Sequence, residues 1–129
     1  MDPSAFLAAR TFAVAGASTN PAKYGYKVFN ALVASGRSAY PLNPKAAEVD
    51  GHQAFALIRD LPQVPEALSI VTPPEVTRSI VKDAIDAGIK HLWMQPGAED
   101  ELASQAARNA GLNVIDDGSC VLVALALGE

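Results

Sequence analysis

The chain has 129 residues, of which 50% are hydrophobic and 19% are charged, and its formal net charge is -4. This composition predicts one compact domain over residues 1–129 and excludes a disordered chain, while the acidic balance argues against broad binding to nucleic acid. A single cysteine excludes an intramolecular disulfide, and the apolar run VLVALAL is far shorter than the ~20 residues of a membrane helix. We therefore expect a soluble cytoplasmic protein with neither nucleic acid nor membrane as a partner.

Short apolar runs alternate with helical patterns along the chain. Asp2-Pro3-Ser4 predicts the start of a leading helix that reaches about Arg10. The further predicted elements are a strand at 11–15, a helix at 24–35, strands at 38–42 and 67–71, a helix from Glu75 to Gly88, a strand at 89–94, a helix at 99–110 and a strand at 112–115. Residues 51–65 look irregular apart from one helical turn near 54–58, and residues 119–127 fit either a helix or a strand.

This alternation predicts an α/β fold, a Rossmann-like doubly wound five-stranded parallel sheet with helices on both faces. Right-handed crossovers favour the strand order 3-2-1-4-5. Ligands of such sheets bind at the carboxyl ends of the strands, here near the switch point between strands 1 and 4. Four loops, at 16–23, 43–45, 72–75 and 95–98, therefore form the candidate site.

The first loop follows a strand and a glycine but lacks the dinucleotide fingerprint G-x-G-x-x-G. Gly16 permits a tight turn and a close ligand approach, and the Ser18 hydroxyl can donate to a phosphate beside the small Ala17. The next helix begins within Lys23, Tyr24, Gly25 and Tyr26, where free backbone N–H groups can hold an anion. Either this loop binds an anion, or Gly16 only packs a turn.

The second loop carries a lysine where an NAD site usually carries an acid. Asn43-Pro44-Lys45 follows the second strand. An ammonium there favours a phosphorylated ribose, as in coenzyme A with its 3'-phosphate or NADP with its 2'-phosphate. The alternative is that Lys45 is an ordinary solvated lysine.

The third and fourth loops are poor in reactive groups. Thr72-Pro73-Pro74 offers a rigid apolar wall, although Pro74 also fits the first turn of a helix. In the fourth loop, Gln95 can contact a ligand amide, and Gly97, after Pro96, leaves room for a thin chain. A plain turn between strand and helix is the alternative there.

Together these loops resemble the stand-alone CoA-binding domain proteins, a family related in fold to the N-terminal domain of the succinyl-CoA synthetase alpha subunit. The resemblance covers nearly the whole chain in order, with these matching segments: Val14-Ala15-Gly16-Ala17-Ser18, Tyr40-Pro41-Leu42-Asn43-Pro44-Lys45, Pro73-Pro74-Glu75-Val76, Trp93-Met94-Gln95-Pro96-Gly97 and Cys120. The chain departs from these proteins after Cys120, where many of them have a polar pair such as Glu-His and this chain has Val-Leu.

The resemblance implies a domain that holds CoA across the strand ends. Under it, the first loop lines the phosphate region, Lys45 faces a phosphate near the adenosine, and the third and fourth loops border the nucleotide or the pantetheine. The candidate cofactor-binding residues are Gly16, Ala17, Ser18, Lys23, Tyr24, Gly25, Tyr26, Asn43, Pro44, Lys45, Thr72, Pro73, Pro74, Val76, Gln95, Pro96, Gly97 and Cys120.

The sequence offers no convincing catalytic or metal-binding group. His52 and His91 have no acid at a spacing that marks a base, and Asp116-Asp117 before a glycine fits a turn better than a metal pair. Cys120 is either a buried structural thiol or a neighbour of the CoA thiol that forms a mixed disulfide with it on oxidation.

Three functions follow from these patterns. The first is a non-catalytic module that senses or carries CoA or an acyl-CoA. The alternative is an NADP-binding oxidoreductase subunit or fragment, which would need a nicotinamide pocket and a proton donor. The third is a ligand-free partner subunit of a larger acyl-CoA enzyme, and a homodimer is a further assembly that the sequence leaves open.

Overall fold

A computed structural model describes residues 1–127 of the chain. Its helices are α1 (Pro3–Leu7), α2 (Tyr24–Ala34), α3 (Pro74–Ala87), α4 (Glu101–Asn109) and α5 (Val121–Ala126), with one turn of 3-10 helix at Ile58–Asp60. Its strands are β1 (Thr11–Ala15), β2 (Ser38–Leu42), β3 (Glu48–Val49), β4 (His52–Gln53), β5 (Ala67–Ile70), β6 (His91–Met94) and β7 (Asn113–Ile115). No helix among these residues is long and apolar enough to cross a membrane.

Five strands form one parallel sheet, as predicted, but in the order β2-β1-β5-β6-β7. The predicted order 3-2-1-4-5 was therefore wrong, because the third long strand, β5, lies beside β1 and leaves β2 at the edge. All four residues of β5 are buried, as a central strand requires, whereas β2 contains Pro41, which lacks a backbone donor and suits an edge strand. The switch point accordingly lies between β1 and β5.

Helices cover both faces of the sheet, as predicted. Leu68, Ile70 and Leu92 belong to a core cluster that includes buried residues of α3 and α4. Phe12 and Val14 belong to a second cluster with buried residues of α1, α2 and α5. The two clusters divide successive residues of β1 between them, which is the alternation that a strand buried on both faces requires.

The structure differs from the prediction between β2 and β5 and at both ends of the chain. Residues 48–53 form a β3–β4 hairpin whose turn residues, Asp50 and Gly51, both have positive φ, as a type I′ turn requires. The helical turn predicted near 54–58 was wrong, because Phe55 bridges to the edge of β2 and the 3-10 turn begins at Ile58. The leading helix ends at Leu7, and the ambiguous segment 119–127 contains helix α5.

Candidate functional site

Loops from the carboxyl ends of β1, β5 and β6 meet in one cleft, here called the strand-end cleft. One part has a volume of about 250 Å³ and is lined by Tyr24, Val71, Gln95, Pro96 and Cys120. A second part, of about 270 Å³, shares three of these residues and is lined by Val71, Thr72, Pro73, Gln95, Pro96, Gly97 and Ala98. The sequence prediction had missed Val71 as a lining residue, although it lies at the predicted junction of a strand and a loop, and it had included Ala98 only as the end of the loop 95–98.

Two glycines hold the start of α2 against the end of β1. Gly16 has φ +85°, and a Cβ there would lie 2.0 Å from the carbonyl oxygen of Val71. A Cβ on Gly25, in the first turn of α2, would lie 1.9 Å from the carbonyl oxygen of Gly16. Both positions therefore require glycine, the first for its backbone conformation and the close approach of the chain after β5, the second for the contact between helix and loop.

The first turn of α2 has no side-chain cap. Lys23 occupies the N-cap position without capping the helix, and the backbone N–H groups of Tyr24, Gly25 and Tyr26 have no acceptor within residues 1–127. The Ser18 hydroxyl oxygen accepts a hydrogen bond from the N–H of Asn20 at 3.0 Å, which orders the preceding loop. These free donors and the positive end of the helix dipole form a ready site for an anion.

The other helices offer fewer free donors at their first turns. Asp2 caps α1, and Asp100 caps α4 through the N–H of Ala103. Helix α3 begins with Pro74 after Pro73, neither of which has a backbone N–H, and the carbonyl of Pro73 accepts from the N–H of Val76 at 2.9 Å. Of the helices that begin at this edge of the sheet, α2 thus offers the most free backbone donors.

Asn43 connects the second loop to the first. Its side-chain amide donates to the carbonyl oxygen of Ala17 at 2.9 Å, and its side-chain oxygen accepts from the N–H of Lys45 at 2.8 Å and of Ala46 at 3.1 Å. Asn43 therefore uses its polar atoms to fix the two loops to each other. Lys45 and its neighbour Pro44 are exposed, and the Lys45 ammonium has no acceptor among the described residues.

Gln95 organises the far wall of the cleft. The side chain is buried, and its amide nitrogen donates to the Cys120 Sγ at 3.2 Å while its amide oxygen accepts from the N–H of Val121 at 2.7 Å. Gln95 thus caps α5 and holds the thiol at the cleft. These two bonds orient Cys120 and use one amide N–H and one lone pair of the amide oxygen, so the contact between Gln95 and a ligand amide stays a prediction.

The remaining predicted residues lie around this edge. The Thr72 and Thr77 hydroxyls are 2.7 Å apart at the start of α3, and Val76 is exposed on the same helix. The Tyr26 hydroxyl donates to the Asp50 carboxylate at 3.1 Å, so it fixes the β3–β4 hairpin to α2 instead of facing the cleft. Gly97 donates its N–H to the Glu99 carboxylate at 2.7 Å.

Among residues 1–127, the carboxyl groups whose pKa values are shifted lie outside the strand-end cleft. Hydrogen bonding to the Arg78 guanidinium lowers the pKa of Asp100, with a further contribution from the N–H of Ala103. Hydrogen bonding to Arg108 lowers the pKa of Asp116, and the Ser119 hydroxyl lowers the pKa of Asp117. These shifts belong to ion pairs and a turn that support the fold.

Comparison with known families assigns the chain to a defined family. The family model described as CoA binding domain matches residues 10–126, so the chain belongs to the CoA-binding domain family. This finding confirms the resemblance seen in the sequence.

Individual relatives agree with this assignment. The alpha subunit of an ADP-forming acetate–CoA ligase II from Pyrococcus furiosus is 33% identical over 86 residues, which are 66% of this chain and 19% of that subunit. The chain therefore spans about a fifth of the length of this curated relative. A conserved hypothetical protein from Pyrococcus furiosus has a solved structure with a TM-score of 0.82, 38% identity, and coverage of 88% of this chain and 97% of that one. A hypothetical protein from Pyrococcus horikoshii has a TM-score of 0.89 at 30% identity, covering 94% and 85% of the two chains.

Proposed function

We propose that this domain is a non-catalytic module that binds CoA or an acyl-CoA across the carboxyl ends of its strands. The observation that carries the proposal is the uncapped first turn of α2, which Gly16 and Gly25 bring against the end of β1. Three free N–H groups and the helix dipole there suit the pyrophosphate of the CoA nucleotide.

The rest of the ligand extends to either side of this turn. Towards β2, the exposed Lys45 ammonium suits the 3'-phosphate of the adenosine, because Asn43 holds the backbone of this loop against the first loop. Towards β6, the part of the strand-end cleft that is lined by Tyr24, Pro96 and Cys120 has a volume of about 250 Å³ and is the place proposed for the pantetheine arm, with its thiol end near Cys120. This placement agrees with a CoA ligand whose two ends diverge from the pyrophosphate.

The proposal assigns no chemistry to the cleft. Cys120 is hydrogen-bonded by Gln95, and the side chain of His91 is 3.0 Å from the Asn113 amide, away from the cleft-lining residues. Because the curated relative is one subunit of a ligase, a larger acyl-CoA enzyme is the macromolecular partner that this relationship supports. In that setting the domain would supply a bound CoA and leave catalysis to its partner.

Calorimetric titration of the purified chain with CoA and with 3'-dephospho-CoA tests the proposal. We expect CoA to bind more tightly than 3'-dephospho-CoA, and Lys45→Ala to weaken CoA binding about five- to tenfold through the lost charge-assisted hydrogen bond. The same substitution should leave 3'-dephospho-CoA binding unchanged. Lys82→Ala, which removes an exposed lysine on α3 that pairs with Asp86 at 3.8 Å, is the matched control and should change neither affinity.

One result would contradict the proposal as a whole, and a second would contradict only the role of Lys45. Binding of NADP without binding of CoA would favour the oxidoreductase alternative. An equal loss of both ligands' affinities in Lys45→Ala would keep CoA binding but remove Lys45 from the 3'-phosphate.

A further inference from the structure

Helix α5 has an apolar stripe that the described part of the fold does not cover. Its sequence VLVALA is apolar on every side, a composition typical of a helix that is buried all round. Val121 is fully buried against the sheet, but Val123 is 58% exposed and Leu127, just after the helix, is 74% exposed. Cys120, Val123, Ala124 and Leu127 share one face at helical spacing, so an apolar surface follows the helix from its first turn to its end.

This stripe forms one wall of a groove of about 490 Å³. Trp93 lines the groove from the sheet, and Pro3 of α1 lies on the opposite side. The indole N–H of Trp93 donates to the carbonyl oxygen of Ser119 at 2.9 Å, so the polar atom of this large side chain is satisfied within the protein. Trp93 is only 1% exposed, so it closes the floor of the groove, and the accessible apolar surface comes from Pro3, Val123, Ala124 and Leu127.

The groove and the strand-end cleft meet at Cys120, which lines both. The cleft is the proposed position of the pantetheine arm, and Cys120 is where that arm ends. Because Cys120 lines both cavities, a group attached to the CoA sulfur at this point would lie beside the groove. The Gln95 amide is bonded there to Cys120 and Val121 through one N–H and its oxygen.

We propose that this groove binds the acyl chain of a thioester-linked acyl-CoA, with a preference for chains of medium length over acetyl. The proposal rests on the CoA site proposed above and names the class of ligand that the site holds. Complete burial of one methylene group raises the affinity of a ligand about four-fold. Since the groove is open on one side, we expect about two-fold per methylene, or roughly sixty-fold between acetyl-CoA and octanoyl-CoA.

Calorimetric titration of the full chain with CoA, acetyl-CoA and octanoyl-CoA tests this proposal, together with the variant Val123→Asp. The carboxylate should remove most of the octanoyl advantage by placing a charge in the groove. The affinity for CoA, measured in the same variant, corrects for any repulsion between the carboxylate and the CoA phosphates. The matched control is Leu102→Asp on α4, because Leu102 is 59% exposed and, like Val123, lies in the first turn of its helix. That variant should keep the full octanoyl advantage.

The outcomes separate this proposal from the CoA site itself. Binding of all three ligands with equal affinity would leave the CoA site standing and overturn the acyl groove. Failure of all three ligands to bind would overturn both. A third outcome is that the chain self-associates, that Val123→Asp abolishes this self-association, and that affinity does not depend on acyl length. That outcome would assign the stripe to a second copy of the chain and would also overturn the proposal.

Discussion

In the dinucleotide fingerprint, closely spaced glycines form a tight turn and allow the helix to pack closely. Gly16 and Gly25 have these two roles here. Gly16 makes the tight turn after β1, and Gly25 permits close packing between the helix and that turn. The longer segment between positions 16 and 25 explains why the fingerprint is missing from the sequence. The glycine contact is nevertheless retained, and it places the free N–H groups of α2 at the switch point of the sheet.

Gly25→Ala tests this contact directly. In an ordinary helical position the change from glycine to alanine is stabilising by roughly 0.5–1 kcal/mol. Here the added Cβ would meet the Gly16 carbonyl oxygen at 1.9 Å, so we expect the free energy of unfolding to fall by about 1–3 kcal/mol and CoA binding to weaken. Urea unfolding and calorimetry measure the two effects.

Gly36→Ala is the control for that variant. Gly36 has a positive φ, a Cβ added there would have no atom within 4 Å, and the residue lies after the end of α2, far from the strand-end cleft. We expect the substitution to lower stability by about 1–2 kcal/mol through backbone strain and to leave CoA affinity unchanged. A rise in stability for Gly25→Ala would show that α2 does not pack against the turn as described.

At the scale of elements, Asp100 joins α3 to α4. It caps α4 through the N–H of Ala103 at 2.9 Å and pairs with the Arg78 guanidinium through both carboxylate oxygens, at 2.8 and 3.1 Å. The Asp100 side chain is only 9% exposed, although Arg78 is 56% exposed. The pKa of Asp100 is lowered chiefly by the hydrogen bond from Arg78, so the charged form is favoured in the folded state.

The lowered pKa of Asp100 predicts that the folded protein loses stability at acidic pH. Because the folded-state pKa lies below the ordinary aspartate value of about 3.9, the contribution of Asp100 is complete above that value and is lost as the pH falls through the folded-state pKa. Asp100→Asn should lower Tm near pH 6 and reduce the loss of Tm on acidification, since asparagine still caps a helix but cannot carry the charge. Thermal unfolding from pH 6 to pH 2.5 measures both.

Asp86→Asn is the matched control for the acid test. Asp86 lies in an exposed pair with Lys82 at 3.8 Å, so we expect its loss to leave Tm near pH 6 almost unchanged. An unchanged acid dependence in Asp100→Asn would mean that the link between α3 and α4 does not depend on the aspartate charge.

The helices and strands also show which parts of the fold local sequence signals were sufficient to predict. The strands and most helices follow from apolar runs bounded by glycine and proline, because these residues act on the backbone locally. Asp50-Gly51 is a strong hairpin signal that the sequence interpretation passed over in favour of an irregular stretch. The helix at Val121–Ala126 could not be separated from a strand by periodicity, because all its positions are apolar.

For the whole molecule, the position of four loops at the carboxyl ends of the strands could be predicted, but the order of those strands could not. Any parallel sheet with these connections brings the strand ends to one edge, so the sequence placed the four loops of the candidate site at that edge without the strand order. The order depends on long-range pairing, and Pro41 was the one residue that marked β2 as an edge strand. Likewise, the hydrogen bonds of Gln95 to Cys120 and α5 join residues distant in sequence, so no local pattern showed that this amide is already engaged.

The central claim is that the pyrophosphate of CoA binds at the first turn of α2. Backbone amide NMR during a CoA titration of the full chain tests it most directly, because hydrogen bonds to a phosphate move amide resonances strongly. We predict the largest shifts at Tyr24, Gly25 and Tyr26, with smaller shifts along the strand-end cleft. Largest shifts at the start of α4, with the α2 resonances unmoved, would contradict the account.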